Sequence, residues 1–166
     1  MEGNFWILLL AGLIPMVVGA IWYSPSVLGK MWMKASGVTE EQTKTGNMIV
    51  IFGLSYVFSV FIAMTVMTLT IHQMGAAQIL MEQPGFKEGT GQAFQDFTEF
   101  MSKYGTEHRT WTHGLLHGGF AAVTMALPLI GILGLFERRG WRYILVHFGY
   151  WFVTLILMGG VIAAYF

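Results

Sequence analysis

The chain has 166 residues, of which 55% are hydrophobic and only 11% are charged. An ordinary soluble domain carries about 25% charged residues, so this chain has too few polar side chains to cover a surface exposed to water. The formal net charge is zero, which excludes the basic footprint of a nucleic-acid-binding protein. The chain has no cysteine, which excludes a disulfide framework, thiolate chemistry and cysteine-type metal sites.

The first apolar run extends over residues 5–23, and we predict a membrane-spanning helix there. Pro15 lies in its middle and is expected to kink the helix. Such a kink is tolerated in a membrane because a neighbouring helix can hydrogen-bond the carbonyl group that proline leaves unpaired. The region before the run carries Glu2 and no Lys or Arg, unlike the positive start of a secretory signal. We therefore predict a retained helix.

A short amphipathic segment follows at residues 25–36. Ser24-Pro25 is typical of a helix start, with serine as the N-cap and proline at the first helical position. Apolar residues share one helical face while Lys30 and Lys34 fall elsewhere, which predicts a helix lying along the membrane surface and ending at Gly37.

The second predicted span covers residues 47–72. Upstream, Thr39-Glu40-Glu41-Gln42 forms a capping box, so we expect the helix to begin near Glu40, in water, and to enter the membrane near Asn47. Small residues recur every four positions in this span and form a stripe on which another helix can pack closely. They are Ser55, Ser59 and Ala63. Their hydroxyl groups either bond to their own backbone or line a solute path.

Residues 73–110 form the one long polar segment. Within it, apolar side chains at helical spacing, with charged residues on the other side, predict an amphipathic helix that ends at Gly105. The apolar set is Phe94, Phe97, Met101 and Tyr104. Glu99 and Lys103 stand in the favourable i, i+4 order. We expect this helix to rest on the membrane or to cover the bundle.

Two further apolar runs, residues 111–136 and 141–166, are joined by the charged turn Glu137-Arg138-Arg139-Gly140. Each run exceeds the roughly 20 residues that a helix needs to cross a bilayer. A turn this short forces the two helices to return antiparallel as a hairpin. The first of these runs carries the strongest close-packing stripe in the chain. Its members are Gly114, Gly118, Ala122 and Ala126.

The predicted fold is all-α: a polytopic membrane protein with four transmembrane helices in two hairpins and two amphipathic surface helices. With four spans, residues 24–46 and 137–142 lie on one side and hold six basic residues, against three on the other. The positive-inside rule places these two segments in the cytoplasm, and both termini and residues 73–110 outside. The six basic residues are Lys30, Lys34, Lys44, Arg138, Arg139 and Arg142.

Two sets of short motifs lie near the ends of the chain. The first set is Gly19-Ala20-Ile21-Trp22-Tyr23-Ser24-Pro25, Gly29-Lys30 and Trp32-Met33-Lys34. The second set is Phe136-Glu137-Arg138-Arg139-Gly140-Trp141, Gly149-Tyr150-Trp151 and Leu157-Met158-Gly159. Together they resemble a family of small bacterial membrane proteins catalogued as domain of unknown function 1761. The resemblance leaves out residues 73–110. It supports the four-helix fold and a place in the bacterial inner membrane, and it implies no activity.

Four of the five histidines gather near one predicted membrane surface. His113 and His117 lie one helical turn apart, a spacing that can chelate a divalent cation, and His72 or Glu107 would complete the shell. The fourth, His108, precedes them. The pattern lacks the adjacent glutamate of zinc hydrolases. The alternative is that these histidines hydrogen-bond to water or to a neighbouring helix.

His147 lies about 20 Å from His117 along the helices at 1.5 Å per residue, so the two cannot share an ion. An intramembrane histidine can ligate haem or bind a quinone, or it can make a helix contact, here with Tyr150 or Trp151. A basic turn at the same end is either a lipid-phosphate site or a topological anchor. Its residues are Arg138, Arg139 and Arg142.

No Ser-His-Asp order, phosphate loop or pair of intramembrane carboxylates is present, which favours a protein that is not an enzyme. The leading hypothesis is a structural or interaction protein that uses its small-residue stripes to form a homo-oligomer or to join other membrane subunits. The alternative is a small transporter or metal-handling protein that uses His72, His113 and His117. The expected partner is the lipid bilayer, and the one cofactor considered is a divalent metal.

Overall fold

The computed structural model describes residues 4–166, and over this range the chain folds as helices joined by turns. The predicted all-α fold is confirmed. Three helices are long and apolar enough to cross a membrane, which indicates a membrane protein. They are Met48–Thr70, Trp111–Phe136 and Trp141–Tyr165. Within residues 4–166, three of the four predicted spans thus form helices of full spanning length, and the first apolar run gives a shorter helical segment, Trp6–Trp22.

The first apolar run is divided into two helices, α1 (Trp6–Ala11) and α2 (Ile14–Trp22). The expected kink is a break at Gly12-Leu13, one turn before Pro15. Proline lacks an N–H and its ring clashes with the carbonyl four residues earlier, so a regular helix cannot continue through this turn. Glycine suits the break because a Cβ on Gly12 would lie 2.8 Å from Cγ2 of Val60.

The surface helix begins later than the sequence predicts. Helix α3 covers Gly29–Ser36, and residues 24–28 form turns. Ser24 does not cap α3, because its Oγ donates a hydrogen bond at 2.8 Å to the carbonyl of Ile21 and so closes the preceding helix. The predicted helix start at Ser24-Pro25 is therefore wrong. The helix ends at Gly37, which adopts the left-handed conformation with a φ of 75°.

The predicted capping box is present. Thr39 Oγ1 accepts the N–H of Gln42 at 3.2 Å, and Gln42 Oε1 accepts the N–H of Thr39 at 2.9 Å. This box starts a separate short helix, α4 (Glu40–Thr45), whereas one continuous helix was predicted. Helix α5 (Met48–Thr70) follows with its own N-cap, the side chain of Asn47.

The polar segment contains two helices, α6 (Gln73–Leu80) and α7 (Gly91–Tyr104). The amphipathic pattern predicted α7, whereas α6 has no comparable pattern and was not predicted. The apolar side of α7 packs on the segment's own Phe86, whose ring centroid lies 6.1 Å from that of Phe94 and 5.4 Å from that of Phe97. The aromatic side chains of this loop thus pack on one another.

The third run is α8 (Trp111–Ala121), a π-helical turn (Ala122–Ala126) and α9 (Leu127–Phe136). The wide turn lies just before Pro128, where a regular α-helix would bring the proline ring against the carbonyl four residues earlier. Helix α10 (Trp141–Tyr165) is the centre of the bundle and contacts α1, α2, α3, α5, α8 and α9.

The glycine stripe of α8 packs on α10 within the same chain. A Cβ on Gly114 would overlap the carbonyl oxygen of Gly159, and a Cβ on Gly118 would overlap that of Leu155. The two backbones are so close that no side chain fits between them. Of the other small residues, Ser59, Ala63 and Ala122 are buried, and Ser55 and Ala126 are half-buried. Gly114 and Gly118 are therefore used in the packing of α8 on α10 within one chain.

Candidate metal centre

The carboxyl end of α5 and the amino end of α8 meet at one end of the bundle and bring histidines together. His72 lies two residues beyond the end of α5. His113 and His117 lie one turn apart at the start of α8, on one face of the helix. Thr110 fixes the first turn of α8, since its Oγ1 accepts the N–H of His113 at 3.3 Å.

The three imidazole rings surround a common point. Nε2 of His113 lies 3.0 Å from Nε2 of His72, so one nitrogen donates a hydrogen bond to the other. The ring centroid of His72 is 5.0 Å from that of His113 and 4.9 Å from that of His117, and the last two centroids are 4.4 Å apart. One nitrogen from each ring lies within 4.8 Å of the other two.

A tetrahedral metal ion would fit between these rings after a small rearrangement. A Zn–N bond of about 2.1 Å places two ligand nitrogens about 3.4 Å apart and two ring centroids about 5 Å apart in that geometry. The widest nitrogen pair, at most 4.8 Å, would have to close by about 1.4 Å. Rotation of the rings can supply this movement, because His72 is exposed and the other two are half-buried. Three imidazoles suit zinc, copper or nickel better than magnesium or calcium.

Two neighbouring residues, Glu107 and His108, are both exposed and both lie outside the three-residue group. Glu107 is the sequence alternative as a further ligand. His108 stacks on His113 with ring centroids 4.8 Å apart and an interplanar angle of 28°. Its ring also meets that of His72 edge-on at 6.0 Å. The sequence placed His108 nearby and assigned it no role.

Gln73 is a residue of this region that sequence reasoning missed. Its side chain is only 4% exposed, and its Nε2 donates hydrogen bonds to the carbonyls of Tyr104, at 3.0 Å, and Glu107, at 2.9 Å. These bonds hold the end of α7 against the start of α6. A single amide in a polar segment gives no sequence signal for such a role, because its partners lie more than 30 residues away.

His147 lies at the opposite end of the bundle, as its position in the sequence predicts. Its Nδ1 lies 2.9 Å from the hydroxyl of Tyr23, whereas the sequence suggested Tyr150 or Trp151 as partners. Tyr150 instead donates a hydrogen bond to the carbonyl of Pro15 at 3.1 Å. Both tyrosines thus tie the first apolar run to α10.

The basic turn lies at this same end. Arg139 donates a hydrogen bond at 2.9 Å to the carbonyl of Ser36, at the end of α3, and lies over the ring of Tyr143 at 5.7 Å. The turn and the surface helix therefore lie together. All three members of the predicted phosphate site, Arg138, Arg139 and Arg142, are exposed.

Comparison with protein families gives one match. The model of a family described as "Protein of unknown function (DUF1761)" matches residues 6–163. This range includes residues 73–110, which the motif resemblance left out. Comparisons with curated proteins and with solved structures find no match. Because the family match covers nearly the whole sequence, the chain belongs to the DUF1761 family of proteins of unknown function.

Proposed function

We propose that the protein is a metal-handling membrane protein that binds a divalent transition-metal ion between His72, His113 and His117. The observation that carries the proposal is the convergence of three imidazole nitrogens to within 4.8 Å. His72 and His113 are separated by 41 residues in sequence, so the fold of the chain, and not local spacing alone, brings them together. Zinc is the reference metal because it is commonly bound by three histidines in a tetrahedral site.

The position of the site suits an ion that enters and leaves. Three protein ligands leave a fourth tetrahedral position for a further ligand. The rings lie at the end of the bundle and are exposed or half-buried, so solvent reaches them. An ion held there would also join the end of α5 to the start of α8. Metal binding would therefore affect the packing of α5 against α8.

The proposal includes four membrane crossings. The N–H of Asn4 donates to the carbonyl of Phe166 at 3.2 Å, and Nε1 of Trp22 donates to that of Val146 at 3.1 Å. The two acceptors lie about 30 Å apart along α10 at 1.5 Å per residue. This distance equals the thickness of the bilayer hydrocarbon, so α1 and α2 together accompany α10 across it.

The proposed orientation places the histidines outside the cytoplasm, in the inner membrane of a bacterium. The bond between Arg139 and the carbonyl of Ser36 supports it, since it gathers the two basic segments at one end of the bundle. The chain has no cysteine, so single cysteines can be labelled without background. In intact cells, an impermeant maleimide should label Glu88→Cys and not Glu41→Cys. Labelling of both, or of Glu41→Cys alone, would contradict this orientation.

Self-association through the small-residue stripes ranks below metal binding. A partner helix would need Gly114 and Gly118, and α10 already covers both. The large apolar side chains that remain outside suit lipid tails. Ile49 on α5 and Phe136 on α9, for example, are each 87% exposed.

Metal titration of the purified protein in detergent tests the proposal. We expect wild type to bind one zinc ion per chain in competition with a chromophoric chelator, and the His113→Ala/His117→Ala variant to lose this binding. His147→Ala is the matched control, because it removes an imidazole at the other end of the bundle and should bind zinc as wild type does. Equal binding by wild type and the double variant would refute the site.

A further inference from the structure

We propose that His108 is the fourth ligand of the metal site, and that its ring turns towards the ion from a loop that is already held in place. This rests on the proposed function, since it concerns the position that the three other histidines leave open. A shell of four neutral imidazoles would select zinc, copper, nickel or cobalt over the oxygen-preferring magnesium and calcium.

The first observation that supports His108 as a ligand is the position of its ring. In a tetrahedral site, ligand ring centroids lie about 5 Å apart. The His108 centroid lies 4.8 Å from that of His113 and 6.0 Å from that of His72, close to this spacing. The ring is stacked on His113, so it must turn to direct a nitrogen at the ion. His108 is exposed, which leaves room for the rotation.

The second observation that supports His108 as a ligand is its backbone conformation. Its φ is 62°, in the left-handed region that side-chain-bearing residues rarely adopt. Such a conformation persists where the surroundings impose it, and these positions are enriched at ligand-binding sites. This left-handed position lies in the link between α7 and α8, where the His108 ring contacts those of His72 and His113.

The residues on either side of His108 are anchored. Before it, the carbonyl of Glu107 accepts a hydrogen bond from Gln73 Nε2 at 2.9 Å. After it, the half-buried guanidinium of Arg109 lies 6.0 Å from the centroid of the Phe166 ring. Gln73 directly follows His72. One short segment therefore supplies both a metal ligand and the hydrogen bond to Glu107 that positions His108. Gln73 is thus a positioning residue, and it acts through His108.

X-ray absorption at the zinc edge, together with chelator competition, tests the assignment on the full-length protein in detergent. Wild type should show four imidazoles around zinc. His108→Ala should show three imidazoles and one oxygen, with affinity reduced by at least about 10-fold, since loss of a ligand costs no less than loss of a ligand's hydrogen-bond partner. The matched control is Glu107→Ala, which removes the neighbouring exposed side chain and should leave both the shell and the affinity unchanged.

Hydrogen exchange gives a second readout that does not depend on affinity. Zinc should slow exchange in residues 105–110 of wild type and not of His108→Ala. Gln73→Leu should retain three imidazoles and lose the fourth, because His108 is no longer held in place. The same shell and affinity in wild type and His108→Ala would overturn this inference and leave the three-histidine site intact. Absence of zinc from wild type would overturn the proposed function itself.

Discussion

Replacing Gly114 by alanine tests the helix packing that supports the histidine end of the bundle. Gly114 directly follows His113, and a Cβ there would lie 2.7 Å from the Cβ of Ala163 and overlap the carbonyl oxygen of Gly159. Ordinary contact begins at 3.4 Å, so α8 and α10 must move apart by about 0.7 Å or more. The movement would disturb contacts along both helices.

The expected cost follows from two opposing effects. Overpacking of this kind destabilises a fold by about 1–3 kcal/mol, and overlap with a backbone carbonyl favours the upper value. Alanine is about 1 kcal/mol more favourable than glycine in a helix, which offsets part of this cost. Gly131→Ala on the same span is the matched control, because a Cβ there meets nothing within 4 Å. The difference between the two variants isolates the packing cost, which we expect to be about 3 kcal/mol.

Reversible unfolding in mixed detergent micelles, followed by circular dichroism, measures this difference. Gly114→Ala should unfold at a lower denaturing-detergent fraction than wild type, and Gly131→Ala at the same or a higher fraction. Zinc affinity of Gly114→Ala should fall as well, since His113 and His117 move with α8. Equal stability of the two alanine variants would refute the close packing of α8 on α10.

Two further substitutions test other contacts. In Gly149→Ala, the new Cβ would lie 2.7 Å from Cζ2 of Trp22 and would displace the indole from its 3.1 Å hydrogen bond to the carbonyl of Val146. We therefore expect the free energy of unfolding to fall by about 1–3 kcal/mol in the same assay. A variant as stable as wild type would contradict the contact. Thr39→Ala removes the acceptor for the N–H of Gln42 and should cost α4 about 1 kcal/mol, measured as faster hydrogen exchange in α4 alone. Faster exchange throughout α5 would contradict the separate capping of the two helices.

Local patterns predicted the features whose causes are local. Three apolar runs form long helices. In lipid, a single apolar segment of this length can pair all its backbone N–H and C=O groups in hydrogen bonds only as a helix. The period of Phe94, Phe97, Met101 and Tyr104 located α7, and the capping box at Thr39 located the start of α4 but not its end. Each of these signals lies within a few turns of one helix.

Features that depend on distant contacts could not be predicted in the same way. Pro15 and Pro128 mark where a helix is disturbed, but not whether the backbone breaks or widens into a π turn. Ser24 fits two roles by sequence, and only the fold shows that it closes the helix before it. The glycine stripe indicated close packing, yet its partner is a helix of the same chain, which a pattern on one helix does not reveal.

The same distinction between local patterns and distant contacts applies to the candidate site. The i, i+4 spacing of His113 and His117 is a local signal, and the topology placed His72 at the same end of the bundle. The role of Gln73 depends on hydrogen bonds to carbonyls 31 and 34 residues away, which no local pattern encodes. His108 likewise adopts a left-handed backbone conformation, which the sequence did not predict.

An experimental map of the zinc-loaded protein, with anomalous scattering recorded at the zinc edge, tests the central proposal most directly. We predict one anomalous peak per chain at about 2.1 Å from a nitrogen of each of His72, His113 and His117. A map without a peak between these three rings, or with its only peak elsewhere in the protein, would contradict the metal site.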